Sequence, residues 1–213
     1  MNQNDDFLLL ILSSPSGAGK TTLTRMLLDR HPELRFSVSH TTRTARANEV
    51  NGRDYHFVDR EHFLALVAQE AFLEWAEVHG NLYGTSKAEI DRARATSDCA
   101  GMVFDIDYQG ARQIRAKVSD VVAAFIVPPS MPELERRLRG RASESEEAVK
   151  RRFAVAKREI EHYALFDYVV VNEDIDDAFD ELRSIVVAER ARRGCRAPLV
   201  EALLRTGRLG DGP

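Results

Sequence analysis

A continuous apolar run, Phe7 to Ser13, delivers the chain straight into Ser14-Pro15-Ser16-Gly17-Ala18-Gly19-Lys20-Thr21-Thr22, after which Leu23, Met26 and Leu27 recur at helical spacing. A run without polar alternation is what a strand covered on both faces requires. Strand, glycine-rich turn and helix in that order constrain the fold more than any other feature, because this arrangement sets a turn at the C-terminal end of a strand and at the start of a helix at once. Glycines there permit positive φ and let backbone N–H groups converge on phosphate oxygens, and the helix N-terminus adds its partial positive charge. Lys20 is placed to reach β and γ phosphates and Thr21 to reach Mg²⁺. Ser14 stands where the strict pattern has its first glycine, at the entry to the turn, whereas the Gly17 and Gly19 positions nearest to phosphate are intact. An ordinary Gly/Ser-rich turn is the plain alternative, and the flanking strand and helix argue against it.

The same alternation continues. Ala100 to Ile106, Ala123 to Val127 and Tyr168 to Val171 are three more short buried-strand candidates separated by helical stretches, which predicts a parallel α/β sheet. His31-Pro32 ends the first helix. Ser86-Lys87-Ala88-Glu89 and Ser130-Met131-Pro132-Glu133 match the capping-box pattern, so helices start at both, with the acid reaching back to the N–H of the cap. Asp174 caps a last long helix with Phe179, Leu182, Ile185 and Val186 on one face.

Three stretches depart from the pattern. Ser37 to about Glu89, with Asn-Gly and polar-apolar alternation around Asp54 to Val58, reads as a small strand-rich insert. Arg136 to Arg152 is densely charged and almost devoid of large apolar residues before Phe153, which reads as an exposed, mobile excursion. The end of the chain, with six arginines and three acids from Ala188 onward, reads as a helix end followed by a Gly-rich, Pro-terminated tether. With 213 residues, 44% of them hydrophobic, the chain is long enough for one substantial core. The expected division is a core at 7–36, 96–135 and 153–193, an insert at 37–89, a lid at 136–152 and a tail at 194–213.

Net charge is -4, so the chain as a whole is not built to cover a polyanion and any basic site must be local. The longest apolar run, Phe7 to Leu12, is far too short for a bilayer span, and Asp5 and Asp6 sit where a secretory signal carries positive charge. A cytoplasmic protein with neither membrane nor nucleic acid as partner is expected. Cys99 and Cys195 are far apart with no C-x-x-C pairing, so reduced thiols are expected rather than a disulfide or zinc site.

Further chemistry is concentrated in a few places. Ser39-His40-Thr41-Thr42-Arg43-Thr44-Ala45-Arg46, with Tyr55 beyond it, can clamp a phosphate monoester through bidentate, charge-assisted hydrogen bonds; a solvated polar loop is the alternative. Glu74 lies among Phe72, Leu73 and Trp75, and Asp105 and Asp107 lie at the end of a strand, where parallel sheets gather ligands. Guanine presents adjacent N1–H and N2–H₂ donors, for which a carboxylate is the natural acceptor. A surface position for Glu74 and a helix-capping role for Asp107 remain open. Arg136, Arg137, Arg139, Arg141, Arg151 and Arg152 form either a solvated helix face or a set of cations carried by a lid to a phosphoryl-transfer centre.

Taken in order, Ser14 to Leu23 (SPSGAGKTTL), His40 to Arg46 (HTTRTAR), Glu49 to Tyr55 (EVNGRDY), Phe72 to Glu77 (FLEWAE), Gly80 to Ser86 (GNLYGTS), Asp105 to Gly110 (DIDYQG) and Leu138 to Arg141 (LRGR) resemble the guanylate kinases, and the likeness runs from about Phe7 to Arg190. The resemblance implies a P-loop NTPase-type parallel sheet core with helices on both faces, a strand-rich GMP-binding insert and a mobile helical lid. It implies that the positions matching Ser39, Arg43, Arg46, Tyr55, Tyr83 and Thr85 contact GMP, most of them at its phosphate, and that those matching Glu74 and Asp105 recognise the guanine. It places Ser14 to Thr22 around ATP and gives Lys20, Arg43, Arg137, Arg141 and Arg152 the migrating charge, with Mg²⁺ arriving on ATP and held at Thr21. The implied reaction is ATP plus GMP to ADP plus GDP, with dGMP as a second acceptor, in purine nucleotide recycling. A homo-oligomer is compatible with it. Ser14 and Asn48, the latter where many relatives have Gly, depart from the family pattern.

The implied mechanism follows from charge. The second pKa of a phosphate monoester is about 6, so the attacking oxygen of GMP is already largely ionised at neutral pH and no general base is required. Alignment and offset of repulsion between two polyanions carry the catalysis, and a closed lid keeps water from accepting the phosphoryl group. Three rivals are a kinase for another nucleoside monophosphate such as thymidylate, a non-catalytic binding module of the same fold, and a nucleic-acid-binding role for the arginines. A carboxylate at Glu74, the intact Gly17, Gly19 and Lys20, and the acidic net charge respectively argue against them.

Overall fold

The computed structural model describes residues 7–78, 80–140 and 145–209. Arg141, to which a catalytic role was assigned, lies outside the described residues.

The first apolar run is strand β1 (Leu8–Ser13), fully buried along its length. Helix α1 (Lys20–Arg30) follows the glycine-rich loop and ends at His31, as expected. Strands β2 (Leu34–Phe36), β7 (Gly101–Asp105), β8 (Val121–Val127) and β9 (Tyr168–Val171) join β1 in one five-stranded sheet of order β2-β7-β1-β8-β9, all parallel. Thus β1 is the central strand. Its burial on both faces is explicit in the packing: Leu8, Leu10 and Leu12 share one cluster with Leu23 and Leu27 of α1 and Phe179 and Leu182 of α7 (Ile175–Arg190). Leu9 and Ile11 point the other way, into a cluster with Ala111 and Ile114 of α4 (Tyr108–Lys117) and Ala93 of α3 (Lys87–Arg94).

The insert forms a second sheet of order β4-β3-β6-β5 from β3 (His40–Thr41), β4 (His56–Phe57), β5 (Phe72–Val78) and β6 (Asn81–Ser86). Helix α2 (Arg60–Ala68), capped by Asp59, closes over it with a small core of Phe63, Phe72 and Leu82. The sheet ends at Ser86, whose side chain accepts from Ala88 N–H to start α3, so the expected insert boundary at Glu89 falls inside a helix.

Helix α5 (Met131–Arg139) starts at Ser130, which accepts from Glu133 N–H. Only the cap half of the expected capping box is the one sought: Glu133 pairs with Arg136 and Arg137 along the helix, and Glu89 with Arg92. Asp174 caps α7 through Asp176 and Asp177 N–H.

Two expectations are corrected. The charged stretch 136–152 is helical where it is described, as a helical lid requires, but it does not lack apolar anchors: it completes α5 and opens α6 (Glu146–Ile160), and Leu134, Leu138, Val149 and Ala156 make a core between the two helices. Its charges face outward and pair, as in Arg139 with Glu135 and Glu146. The tail is likewise not a bare tether, since Arg193–Thr206 forms helix α8 with Pro198 within it. Among the described residues both cysteines are free thiols, and no helix is long and apolar enough to cross a membrane.

Candidate active site

The loop after β1 opens at the C-terminal end of the sheet's central strand, between β7 and β8. Gly17 and Gly19 both have positive φ, 93° and 98°, which L side chains rarely adopt. Space reinforces the requirement. A Cβ at Gly19 would overlap the amide of Asn172, which donates to the Ala18 carbonyl at 2.7 Å, and one at Gly17 would lie 3.2 Å from Leu134 and 3.1 Å from Leu138.

Lys20 opens α1, forms an ion pair with Asp105 at the end of β7, and also donates to the Ile106 carbonyl at 3.3 Å. Thr21 and Thr22 are exposed on the first turn of α1. Ser16 receives two contacts from α6: its hydroxyl accepts from Arg152 at 2.8 Å, and its N–H donates to the Glu159 carboxylate at 3.3 Å. Arg137 pairs with Glu133 at 2.7 Å and reaches the Glu173 carbonyl at 3.5 Å. With Gly17, Gly19, Thr22 and Asn172 it lines an open recess of about 490 Å³. A larger cavity of about 1460 Å³ touches Leu8, Leu9, Val121 and Val122 at the strands' starts, far from these groups.

The insert supplies the second half. Arg43 pairs with Glu49 at 2.8 Å and lies over the rings of Tyr55 and Phe57, 5.4 and 5.7 Å from their centroids. Glu49 holds the Arg43 pKa above its ordinary value and is itself lowered by that hydrogen bond. Arg46 anchors the loop through its N–H to Glu49 at 2.8 Å, and the residue is exposed. Tyr55 and Tyr83 meet edge to face at 6.1 Å. Burial, then the charge of Asp105, raises the Tyr55 pKa.

Glu74 is buried, only 4% exposed. Its Oε1 accepts from the Thr85 hydroxyl at 2.6 Å, and Thr85 lies 3.5 Å from the Ser39 hydroxyl. Burial pushes the Glu74 carboxyl up to about 7; the Thr85 hydrogen bond opposes this and Asp107 adds to it. A surface reading of Glu74 is therefore overturned. For Asp107 the plain alternative holds, since it caps α4 through Gln109 and Gly110 N–H at 3.0 and 2.9 Å. Asp105 differs from expectation in its partner, for its carboxylate is engaged with Lys20.

Sequence reasoning passed over four groups that the fold brings here: Asn172, Glu159, Gly110 and Gln113. Asn172 had a signal, as the residue after the parallel strand β9, although that edge strand is buried only at Val170 and not along its length as its composition suggests. The others act across elements distant in sequence, where periodicity is silent.

The arrangement joins a glycine-rich loop at a helix N-terminus, with lysine and arginine side chains, to a buried carboxylate beside hydroxyls and aromatic rings. A family model described as guanylate kinase matches residues 8–189. A guanylate kinase of Bradyrhizobium diazoefficiens is 50% identical over 194 residues, covering 91% of this chain and 88% of that one. One from Myxococcus xanthus is 52% identical over 187 residues, 87% and 88% of the two chains. The crystal structure of a guanylate kinase from Anaplasma phagocytophilum superposes with a TM-score of 0.75 at 35% identity, covering 97% of this chain and 98% of that one.

Proposed function

The chain belongs to the guanylate kinase family, and from that premise we infer how its own groups move a phosphoryl group from ATP to GMP. The reaction is ATP-dependent phosphorylation of GMP. The observation that carries the assignment of roles is the buried Glu74 carboxylate, bonded to Thr85 and set in the insert across from the Lys20 loop. Glu74 accepts the adjacent N–H donors of guanine, with Asp105 as the second acceptor. Ser39, Arg43, Arg46, Tyr55, Tyr83 and Thr85 contact GMP, most of them at its phosphate, and dGMP enters the same site.

Residues Ser14 to Thr22 wrap the ATP phosphates, and Lys20 follows the γ charge. Arg137 of α5 shares a recess with Gly17 and Gly19, and Arg152 of α6 donates to Ser16. Arg141 completes the set in the reading carried from the family. The exposed Thr21 hydroxyl suits Mg²⁺ brought in on phosphate oxygens rather than a metal caged by protein alone. Among the described residues no group of three or more His, Cys, Asp or Glu side chains could hold one. When bound, Mg²⁺ offsets charge on the β and γ phosphates. Action in the cytoplasm and in purine nucleotide recycling, without membrane or nucleic-acid partners, belongs to this same reading, with which a homo-oligomer is compatible.

A coupled assay of ADP formation with GMP, dGMP, AMP, CMP, UMP and dTMP as acceptors tests the function: turnover with the two guanine nucleotides far above the rest is expected, and equal turnover with AMP would overturn it. A pH series tests the acceptor. Because Glu74 titrates at about 7 in the protein and only its ionised form accepts both guanine donors, kcat/KM for GMP is expected to climb as pH rises through 7. The GMP phosphate titrates near this range too, at about 6. The ratio of wild type to Glu74→Gln cancels that contribution. A flat ratio from pH 5.5 to 8.5 would remove Glu74 from the base pocket.

A further inference from the structure

We propose that Gly110 and Gln113 of α4 are positioning residues that fix the Glu74 carboxylate and thereby set the enzyme's preference for a base bearing a 2-amino group. The proposal rests on the reading of Glu74 as the guanine acceptor and adds what holds it.

Strand β5 is irregular where Glu74 sits. Phe72 pairs with Ser86 and Glu74 with Thr85, so one step along β6 spans two along β5 and Leu73 is the extra residue of a bulge. Bulges re-aim side chains and interrupt the ladder that would otherwise hold them. Leu73 packs into the core cluster containing Ala111 and Ile114 of α4, while Phe72 packs into the insert's own cluster. A bulged strand needs its backbone held by something else, and α4 holds it on both sides of Glu74. Lys117 donates to the Leu73 carbonyl. Gln113 takes both groups of the next residue, accepting from Trp75 N–H at 3.3 Å and donating to the Trp75 carbonyl at 2.8 Å.

The carboxylate itself lies against the same helix. A Cβ on Gly110 would come within 2.9 Å of Glu74 Oε2 and 3.3 Å of its Cδ, closer than side chains pack, so the absent side chain makes room for the acceptor. Positions 110, 113 and 117 fall at i, i+3 and i+7, one stripe of α4, and Asp107 fixes where the helix starts. Thr85 restrains Oε1 from the insert and Gly110 bounds Oε2 from the core. The bearing of the two oxygens is thus set by elements from both sheets' surroundings.

This account makes Gln113 and Gly110 act on GMP only through Glu74. The test measures kcat and KM for GMP and for IMP, whose base keeps N1–H but lacks the 2-amino group, and KM for ATP. The variants are Gln113→Leu, Gly110→Ala, Glu74→Gln and Gln113→Leu with Glu74→Gln. Gln113→Leu is expected to raise KM for GMP by about tenfold, since small displacements of positioning groups cost up to two orders of magnitude. The GMP-to-IMP preference should fall with it, while kcat and KM for ATP stay within about twofold of wild type. Gly110→Ala, which retains both Gln113 bonds, should lower the same preference by crowding Oε2. In the Glu74→Gln background the Gln113 change should add almost nothing, because the two act as one unit. If Glu74→Gln lowers the preference while folded Gln113→Leu and Gly110→Ala keep it, or if the effects of Gln113→Leu and Glu74→Gln simply multiply, the positioning role is wrong and the acceptor role of Glu74 survives. If Glu74→Gln itself leaves the preference intact, both fall.

Discussion

Lys20→Met is expected to leave the protein folded and to reduce turnover by at least two to three orders of magnitude. Lys20 opens α1 beside a loop whose conformation is set by Gly17, Gly19 and the Asn172 amide, none of which depends on the lysine ammonium. Methionine matches the length of its aliphatic stem. The ion pair with Asp105 is lost, and because both side chains keep only about a fifth of their exposure the cost lies between that of an exposed pair, about 1 kcal/mol, and that of a buried one, about 3 kcal/mol, which the fold tolerates. The transition state fares differently. Charge moving from the γ phosphate needs a donor already aimed at it, and loss of one such preorganised donor costs on the order of 10²- to 10³-fold in rate. Single-turnover rates with saturating ATP and GMP, alongside circular dichroism melts, measure both halves. A folded variant with near wild-type kcat would defeat the assignment of the loop.

The second large effect is on base recognition. Glu74→Gln keeps the shape of a buried side chain but exchanges one acceptor oxygen for an NH₂. If the amide oxygen keeps the Thr85 hydrogen bond, the NH₂ opposes a guanine donor; if the amide turns, the oxygen serves guanine and the NH₂ must use Thr85 as acceptor. Either way one acceptor is missing. An opposed or unmet buried hydrogen bond costs roughly 1 to 3 kcal/mol, so kcat/KM for GMP should fall by about tenfold to a few hundredfold. KM for ATP should hardly move. Stability should shift oppositely. The folded pKa of Glu74 is raised to about 7 from 4.5, so ionised Glu74 opposes folding, and wild-type stability declines as pH rises between those values. Glu74→Gln escapes that decline and should melt no lower than wild type at pH 8. Asp105→Asn is a poorer partner for this experiment than guanine chemistry alone suggests, because it also strips Lys20 of its counter-charge. Retained GMP preference in a folded Glu74→Gln enzyme would return Glu74 to a structural role.

The core was legible where local pattern and tertiary demand coincide. Phe7 to Ser13 reads as a doubly covered strand because β1 is the middle of a sheet with α1 and α7 on one face and α3 and α4 on the other. The caps at Ser86, Ser130 and Asp174 are legible because a cap is a contact within four residues. Long-range pairings defeated the reading elsewhere. Leu138 and Val149 looked too sparse to hold a segment together, yet they need only each other, Leu134 and Ala156, contributed by α5 and α6. The helix at Arg193–Thr206 was hidden by Gly194 and by Pro198, which lies inside it and leaves the Gly194 carbonyl without its i+4 donor, so both weaken the helix without abolishing it. Glu74 illustrates the limit for the site: its residue type was suggestive, but its burial depends on a glycine 36 positions later in the chain, and no local signal records that Gly110 leaves space for a carboxylate.

The order in which the sheet is threaded has its own consequence. β1 is synthesised before every other strand of its sheet yet lies at the centre, and its neighbours β7 and β8 begin at Gly101 and Val121. The loop that follows it takes its clasp from Asn172, 154 residues beyond Ala18. A nascent chain therefore carries the whole phosphate-binding motif long before it owns a phosphate-binding site. Contacts of such sequence separation form late, after the loop-closure entropy of the intervening chain has been overcome. Affinity for ATP then becomes a report on the completeness of the fold: a chain released before β9 has docked holds Lys20 and both glycines in sequence while lacking the amide that shapes them.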